Sequence, residues 1–116
     1  MNMGWGTMAR MARSIQPHGQ DDDVHHALTV LGNTVRAAII HELGSGPVLG
    51  PELAKRLDLP SGTLSPQLLV LREAEVIHCE AQSGHGRPIL HTLNTRKLEE
   101  IGDLAGAYLG LKIAGT

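Results

Sequence analysis

Short polar side chains followed by an arginine make the stretch from residue 61 to residue 72 the part of the sequence best suited to bind another molecule. They lie opposite Leu64, Leu68 and Leu71, whose spacing of four and three places those leucines on one face of a helix. Hydroxyl, amide and guanidinium groups hydrogen-bond to the base edges and phosphates of nucleic acids. The residues concerned, with the intervening glycine, are Ser61, Gly62, Thr63, Ser65, Gln67 and Arg72. The alternative is an ordinary amphipathic helix with a solvated polar face.

These residues lie in the second of two amphipathic patterns and in the turn before it. The first, Glu52–Leu57, and the second, Thr63–Glu73, are separated by Asp58–Gly62, in which Pro and Gly oppose helix continuation. This layout is typical of a helix-turn-helix, whose first helix crosses the nucleic-acid backbone while the second lies in the major groove. The sequence therefore predicts a nucleic-acid-binding unit centred on this stretch.

Pro66 affects where the second helix begins. Proline breaks a helix from within, so a helix that began at Ser61 would be interrupted. We expect the helix to begin near Ser65, with Ser65 as N-cap, Pro66 in the first turn and one looser turn through Thr63 before it. Exposed backbone amides at such a helix start favour phosphate.

Two further helices are predicted upstream. The run DDDVHHALTVLG can be capped by Asp22 or Asp23 and ends at Gly32, and the run NTVRAAIIHELG can be capped by its Asn or Thr and ends at Gly44. The residues before them show no sustained period, and we expect 1–20 to be a mobile arm. Its arginines, Arg10 and Arg13, could contact phosphate; a disordered leader, or translation starting at a later methionine, is the alternative.

Crowded imidazoles and carboxylates near the first helix invite a metal-site interpretation. They are His18, Asp21, Asp22, Asp23, His25 and His26. Adjacent helical residues point about 100° apart, whereas helical ligand pairs are three or four residues apart. We therefore expect a capped helix with a polar side, and neither a metal nor another cofactor.

The period becomes strand-like after the second amphipathic helix. Residues 76–81 and 88–93 are β-rich runs joined by QSGHGR, which predicts a β-hairpin with glycines in its turn. A helix-turn-helix followed by such a hairpin is a winged helix, with the hairpin tip beside the second helix. The tip residues then placed to meet phosphates or a minor groove are Ser83, His85 and Arg87. Alternation places Cys79 inward with Ile77 and Ala81, as an inert thiol.

The last segment, residues 95–116, is predicted to be a helix with a broad apolar surface, which a small domain cannot leave exposed to water. Its glycines recur every four residues, a spacing that lets two backbones approach closely. The alternative is that each glycine only weakens the helix, by about 1 kcal/mol. We expect this helix to form a homodimer through Leu98, Ile101, Gly102, Ala105, Gly106, Tyr108 and Leu109.

Composition limits the other possibilities. The 116 residues fit one domain, and 41% hydrophobic residues suffice for one core, which is aliphatic because the sequence has no Phe. The net charge of −2 does not indicate an indiscriminate nucleic-acid binder. One cysteine excludes an intrachain disulfide, and no apolar run approaches the roughly 20 residues that span a bilayer. We expect a cytoplasmic protein that is not an enzyme, because no nucleophile, base and orienting residue occur together.

From about Leu28 to Asn94 the sequence resembles the ArsR and PadR families of regulators. LGNTVRAAIIHEL resembles the ArsR opening helix LGNPTRLRILRLL, and PELAKRLDLPSGTLSPQLLVLREAEVI is similar to the ArsR pattern ELA…LS…HL..L...GLV. LPSGTLSPQL is similar to the PadR pattern LSPGTLYPAL, and GHGRPILHTLN resembles the wing GRPRKYYRLT. Glu75 stands where these families usually have glycine, and the Cys-x-Cys of the metal sensors is absent, as are the His and Asp ligands of the zinc sensors.

The resemblance implies a transcription regulator, with repression the expected sign, that binds double-stranded DNA at a pseudo-palindromic operator as a homodimer formed by its terminal helices. The predicted fold class is mainly α with a small β-hairpin: a winged helix-turn-helix over 21–94 with a dimerisation helix over 95–116. A protein-interaction module without strong DNA binding is the alternative, because residues 36–97 hold seven basic and six acidic side chains. A small-molecule effector is left unspecified.

Overall fold

The computed structural model of the chain describes residues 15–111, and these form a mainly α-helical unit with a small sheet. In chain order the elements are α1 (Asp22–Leu31), α2 (Thr34–Leu43), β1 (Val48–Leu49), α3 (Gly50–Leu57), α4 (Ser61–Glu73), β2 (Ile77–Ala81), β3 (Ile89–Leu93) and α5 (Thr95–Leu109). Within the described range no helix combines the length and apolar character needed to cross a bilayer.

Side-chain caps define the starts of α1 and α2. Asp21, one residue before the predicted caps, accepts from the Val24 N–H (2.8 Å), and Asn33 accepts from the Arg36 N–H (2.9 Å). Each interaction satisfies an N–H group that a helix start leaves without an intrahelical partner. The predicted ends at Gly32 and Gly44 are confirmed.

The predicted N-terminal arm falls largely on residues 1–14, including both of its arginines, which lie outside the described residues. The rest of it turns back onto α1. The Gln16 side chain donates from Nε2 to the Gln20 carbonyl (2.7 Å) and to Asp22 Oδ1 (2.9 Å). Because Gln16 is hydrogen-bonded to Gln20 and Asp22, the prediction of a mobile arm can apply only to the residues before Gln16.

The predicted start of the second amphipathic helix is wrong. Helix α4 runs without a break from Ser61, with Pro60 as its N-cap and Pro66 inside it. A proline at position 66 removes the hydrogen bond to the Gly62 carbonyl, four residues earlier, and its ring crowds that same carbonyl. Gly62 is exposed, so water can satisfy that carbonyl. Ser65 is a helical residue rather than a cap, and its Oγ donates to the Ser61 carbonyl at 2.9 Å.

The sheet has three antiparallel strands in the order β1-β3-β2, one more than the predicted hairpin. Val48 pairs with His91 on one edge of β3, and Cys79 pairs with the same His91 on the other. The short strand β1, between α2 and α3, is therefore an edge strand that joins the helix-turn-helix to the wing.

The core is aliphatic, as predicted, and draws on every helix. Helix α1 packs against α5, and α2 packs against α4. The larger side chains at its centre are Ile39, Leu53, Leu64, Leu71, Val76, Ile77 and Ile101.

The C-terminal helix is partly buried within a single chain, at residues predicted to form the dimer face. Ile101 (2% exposed), Ala105 (7% exposed) and Gly106 pack inside the protomer because α1 covers this side of α5. Leu98 is partly buried against the same core. Part of the predicted dimer face is therefore covered by α1 within the protomer.

Helix α5 ends earlier than predicted, and its last residues are exposed. The helix ends at Leu109, and Gly110 caps it in the left-handed conformation (φ 76°), which glycine adopts without strain. Tyr108, Leu109 and Leu111 are 49%, 59% and 61% exposed. Residues 112–116, the rest of the predicted helix, lie outside the described range.

Glu75 adopts a left-handed backbone conformation (φ 64°) between α4 and β2. This explains why the families that the sequence resembles have glycine at this point, because a side chain with a Cβ atom is strained there by about 1–2 kcal/mol. The Asn94 side chain holds the turn by donating from Nδ2 to the Glu75 carbonyl at 2.9 Å. The chain thus makes the tight turn without the glycine.

Candidate nucleic-acid interface

The first turns of α4 present the predicted polar residues to solvent. Ser61, Gly62, Thr63 and Ser65 are all exposed, and Leu64 between them is buried. Burial of Leu64, together with that of Leu71, orients the helix so that its hydroxyl groups lie outward. The helix-turn-helix prediction placed these residues correctly on one accessible surface.

Unpaired backbone donors lie at the same end of α4. The helix has no side-chain cap, and the N–H groups of Ser61 and Gly62 have no hydrogen-bond partner within residues 15–111. Free N–H groups and the positive end of the helix dipole together attract an anion such as phosphate.

The wing tip is a tight turn with three residues in the positive-φ region: Gly84 (116°), Gly86 (77°) and Arg87 (44°). The Arg87 N–H donates to the Gly84 carbonyl at 3.2 Å, which closes the turn. The side chains of Ser83, His85 and Arg87 are exposed, as predicted for groups that contact a ligand.

One groove lies between helix α4 and the wing. It has a volume of about 860 Å³ and is bordered by Ser61, Ser65 and Arg72 on α4 and by Arg87 on the wing. The ion pairs of the described residues involve Arg56 and Lys97, so neither Arg72 nor Arg87 has an ion pair within residues 15–111. The structure therefore brings two uncompensated positive charges to the same groove as the polar helix start.

Gln67 is the predicted contact residue that the structure places differently. It is half-buried, and its Oε1 accepts a hydrogen bond from Arg36 Nη1. The side-chain carbonyl is thereby directed towards α2, which corrects the expectation that the whole amide is free to face a base edge.

Arg36 is a functional candidate that the sequence did not single out. Besides Gln67, its guanidinium donates from Nε to the Val30 carbonyl (2.8 Å) and from Nη2 to the Thr29 carbonyl (2.7 Å). These carbonyls end α1, whose last turn has no basic residue of its own. Burial lowers the pKa of Arg36, but a guanidinium stays charged in proteins. Arg36 therefore links the end of α1 to α4.

His91 and Cys79 form a second group that the sequence did not identify as a pair. His91 is 5% exposed on the central strand, with its Nδ1 3.3 Å from Cys79 Sγ. Burial raises the pKa of the Cys79 thiol, against the opposing charge of Arg72, and burial lowers the pKa of His91. The predicted inward side of β2 is buried only at Ile77: Cys79 is half-buried and Ala81 is exposed, because both border the groove.

A smaller apolar groove of about 410 Å³ lies between α1 and α5. Leu28 and Leu31 border it on α1, and Gly102 and Leu109 border it on α5. Four of the predicted dimerisation residues thus line this apolar groove: Gly102, Ala105, Gly106 and Leu109. Over residues 15–111 no group of three or more His, Cys, Asp or Glu side chains is arranged to hold a metal ion.

No family model and no curated protein sequence matches this chain. Solved structures do match it. Reduced HlyU from Vibrio cholerae is 24% identical, with 74% of this chain and 88% of that chain covered and a TM-score of 0.60. An ArsR family transcriptional regulator is 21% identical (77% and 84% covered, TM-score 0.60), and the transcriptional repressor BigR from Xylella fastidiosa is 22% identical (89% and 94% covered, TM-score 0.57). The predicted winged-helix fold, as in ArsR-type regulators, is confirmed.

Proposed function

We propose that this winged helix is a sequence-specific, double-stranded-DNA-binding transcription regulator, with repression as its mode of action. The observation that carries the proposal is the shared groove, where the polar start of α4 and Arg87 of the wing border one surface with two unpaired arginines. Proteins with the same fold that are named as transcriptional regulators support it. We propose no catalytic activity.

The proposed contacts divide by chemistry. The hydroxyl groups of Thr63 and Ser65 face base edges in the major groove. The free N–H groups of Ser61 and Gly62 bind a phosphate, because they lie at the positive end of a helix. The remaining contacts are to the backbone or an adjacent minor groove, by Arg72, Ser83, His85 and Arg87.

We propose that the regulator acts as a homodimer. Each chain has one recognition helix, whereas a pseudo-palindromic operator presents two half-sites about 34 Å apart. The exposed side chains of Tyr108, Leu109 and Leu111, beside the apolar groove between α1 and α5, form a surface suited to a second copy.

An electrophoretic binding assay with the promoter of the protein's own gene tests DNA binding. Affinity should fall steeply between about 50 and 200 mM salt, because each neutralised phosphate releases counterions. Arg87→Ala should weaken binding to all sequences and reduce the salt slope by about one. Arg96→Ala is the matched control, since Arg96 is exposed at the opposite end of the hairpin from the tip. Absence of a salt-dependent complex would favour the protein-interaction module instead.

Site selection from random DNA tests readout. Ser65→Ala should relax base preference and leave non-specific binding nearly intact, because one base contact is worth about 1–3 kcal/mol. Gln67→Ala should instead weaken binding to every sequence, since Gln67 acts through the position of α4. Recovery of the wild-type motif by Ser65→Ala would show that Ser65 does not read bases.

Sedimentation tests the dimer. Leu109→Ser should shift the protein towards monomer and reduce operator affinity, whereas Leu49→Ser, an exposed leucine outside the α1–α5 groove, should leave the dimer intact. A Leu109→Ser protein that stayed dimeric on dilution would place the interface elsewhere.

A further inference from the structure

The groove between α4 and the sheet has an apolar floor that DNA contacts do not require. Leu64, Leu68 and Leu69 form it on the α4 side, and Ile89 forms it on the strand side. Leu69 and Ile89 are 42% and 38% exposed. Phosphates and sugars are bound by charged and polar groups, which in this groove include Ser61, Arg72 and Arg87. The floor is therefore free to hold an apolar group of a different molecule.

The rim of the groove selects the charge of that molecule. Arg72 and Arg87 both border it, and neither has an ion pair within residues 15–111. Among residues 15–111, no aspartate or glutamate lines the groove. A guanidinium pairs a carboxylate through two parallel hydrogen bonds, so the rim is complementary to an anion with an apolar tail.

The size of the groove fits a small molecule. Its volume of about 860 Å³ lies within the roughly 300–1,000 Å³ typical of sites for small ligands, which combine apolar walls with a few polar groups. The neutral Ser61 hydroxyl at the helix start adds a hydrogen-bond donor without adding negative charge, whereas the Ser65 hydroxyl already donates to the Ser61 carbonyl.

We propose that this groove binds an amphipathic monocarboxylate, with its tail on the leucine floor and its carboxylate between Arg72 and Arg87. This part of the inference rests on the proposed function: a bound carboxylate occupies Arg72, Arg87 and Ser61, which then cannot contact DNA. Ligand and DNA therefore compete for one surface, which makes the carboxylate an inducer of release.

Calorimetric titration of the full-length chain with decanoate tests the site without DNA. Decanoate should bind once per protomer, and decanol and decyltrimethylammonium, with the same tail, should bind at least about tenfold more weakly because they lack the carboxylate. Arg72→Gln should weaken decanoate by about tenfold and leave decanol unchanged. Equal affinity for the three probes would overturn the proposal.

Two variants, one inside the groove and one outside it, test the apolar contact with the decanoate tail. Ile89 and Leu49 are both strand residues and both 38% exposed, but only Ile89 lines the groove. Ile89→Thr should weaken decanoate by several-fold, on the order of the loss expected for removing an apolar contact, and Leu49→Thr should not. Unchanged binding by Ile89→Thr and Arg72→Gln together would place decanoate elsewhere and refute the site.

Displacement of the promoter DNA by decanoate separates this inference from the proposed function. Release of DNA at concentrations that saturate the groove supports competition, and unaltered DNA affinity at those concentrations refutes it. Selective decanoate binding by a chain that binds no DNA upholds the site while the proposed function fails. DNA binding without decanoate binding overturns the site and leaves the proposed function standing.

Discussion

Replacement of Arg36 tests whether one guanidinium holds the recognition helix in place. Arg36 donates three hydrogen bonds, to the Val30 and Thr29 carbonyls and to Gln67 Oε1. Arg36→Ala removes all three, and it removes the positive charge at the C-terminal end of the α1 dipole.

The expected loss follows from the geometry. A hydrogen bond to a charged group contributes about 1.5–3 kcal/mol net, and the partial exposure of this site reduces that value because water can replace the guanidinium. We take about 1 kcal/mol for each bond, which gives about 3 kcal/mol for Arg36→Ala. Lysine keeps the charge but not the planar fork, so Arg36→Lys should lose about half as much.

Urea unfolding monitored by circular dichroism measures these free energies. Gln67→Ala removes only the bond between α2 and α4 and should cost about 1 kcal/mol. A double-mutant cycle with Arg36→Ala should then show a coupling of about 1 kcal/mol, since both changes delete one shared bond. Exposed Arg96 is the control, because Arg96→Ala should change the free energy of unfolding by less than about 0.5 kcal/mol.

Two results would refute this reasoning. An Arg36→Ala protein as stable as Arg96→Ala would show that water replaces the guanidinium without loss. Additive effects of Arg36→Ala and Gln67→Ala would show that the hydrogen bond between α2 and α4 contributes nothing.

Glu75→Gly should stabilise the fold by about 1 kcal/mol in urea unfolding, because φ is 64° there, whereas Glu99→Gly within α5 should destabilise it by a similar amount. Destabilisation by both would mean that the turn is unstrained. Cys79 should react with a thiol reagent far more slowly in the native protein than in urea, since burial raises its pKa; equal rates would reveal an accessible thiolate. Burial lowers the pKa of His91 in the folded protein below its unfolded value of about 6.5. The stability that neutral His91 contributes is therefore complete above about pH 6.5, and it is lost as the pH falls towards the pKa of the folded state. Between about pH 7.5 and 5.5 the His91→Leu protein should therefore lose less stability than wild type, and parallel losses would assign the effect to other groups.

Local patterns predicted the elements well because their causes lie within a few neighbouring residues. Gly32 and Gly44 end helices, Leu64 and Leu71 are buried at helical spacing, and the glycines of the wing turn have positive φ. Capping, period and turn chemistry each depend on short stretches of chain, which the sequence states directly.

Pro66 and Ala105 show where local reasoning was insufficient. Pro66 is tolerated inside α4 because the carbonyl it leaves unpaired is exposed, a property of the folded surface rather than of the residue. The apolar stripe that includes Ala105 indicated that α5 must pack against something, but a periodic stripe is the same whether its partner is α1 or a second chain. Packing against α1 within the protomer buries Ile101 and Ala105, and the dimer through the exposed residues of α5 stays a prediction.

The sequence by itself determined the winged-helix order, the ends of most helices and the polar surface of α4. Only the tertiary structure decided that Arg36 reaches Gln67, 31 residues away, and that Cys79 lies beside His91, 12 residues away. Such pairs depend on the distances between packed elements, and no spacing along the chain encodes those distances. The groove between α4 and the wing arises for the same reason: its floor and its arginines come from separate elements that meet only when the core has formed.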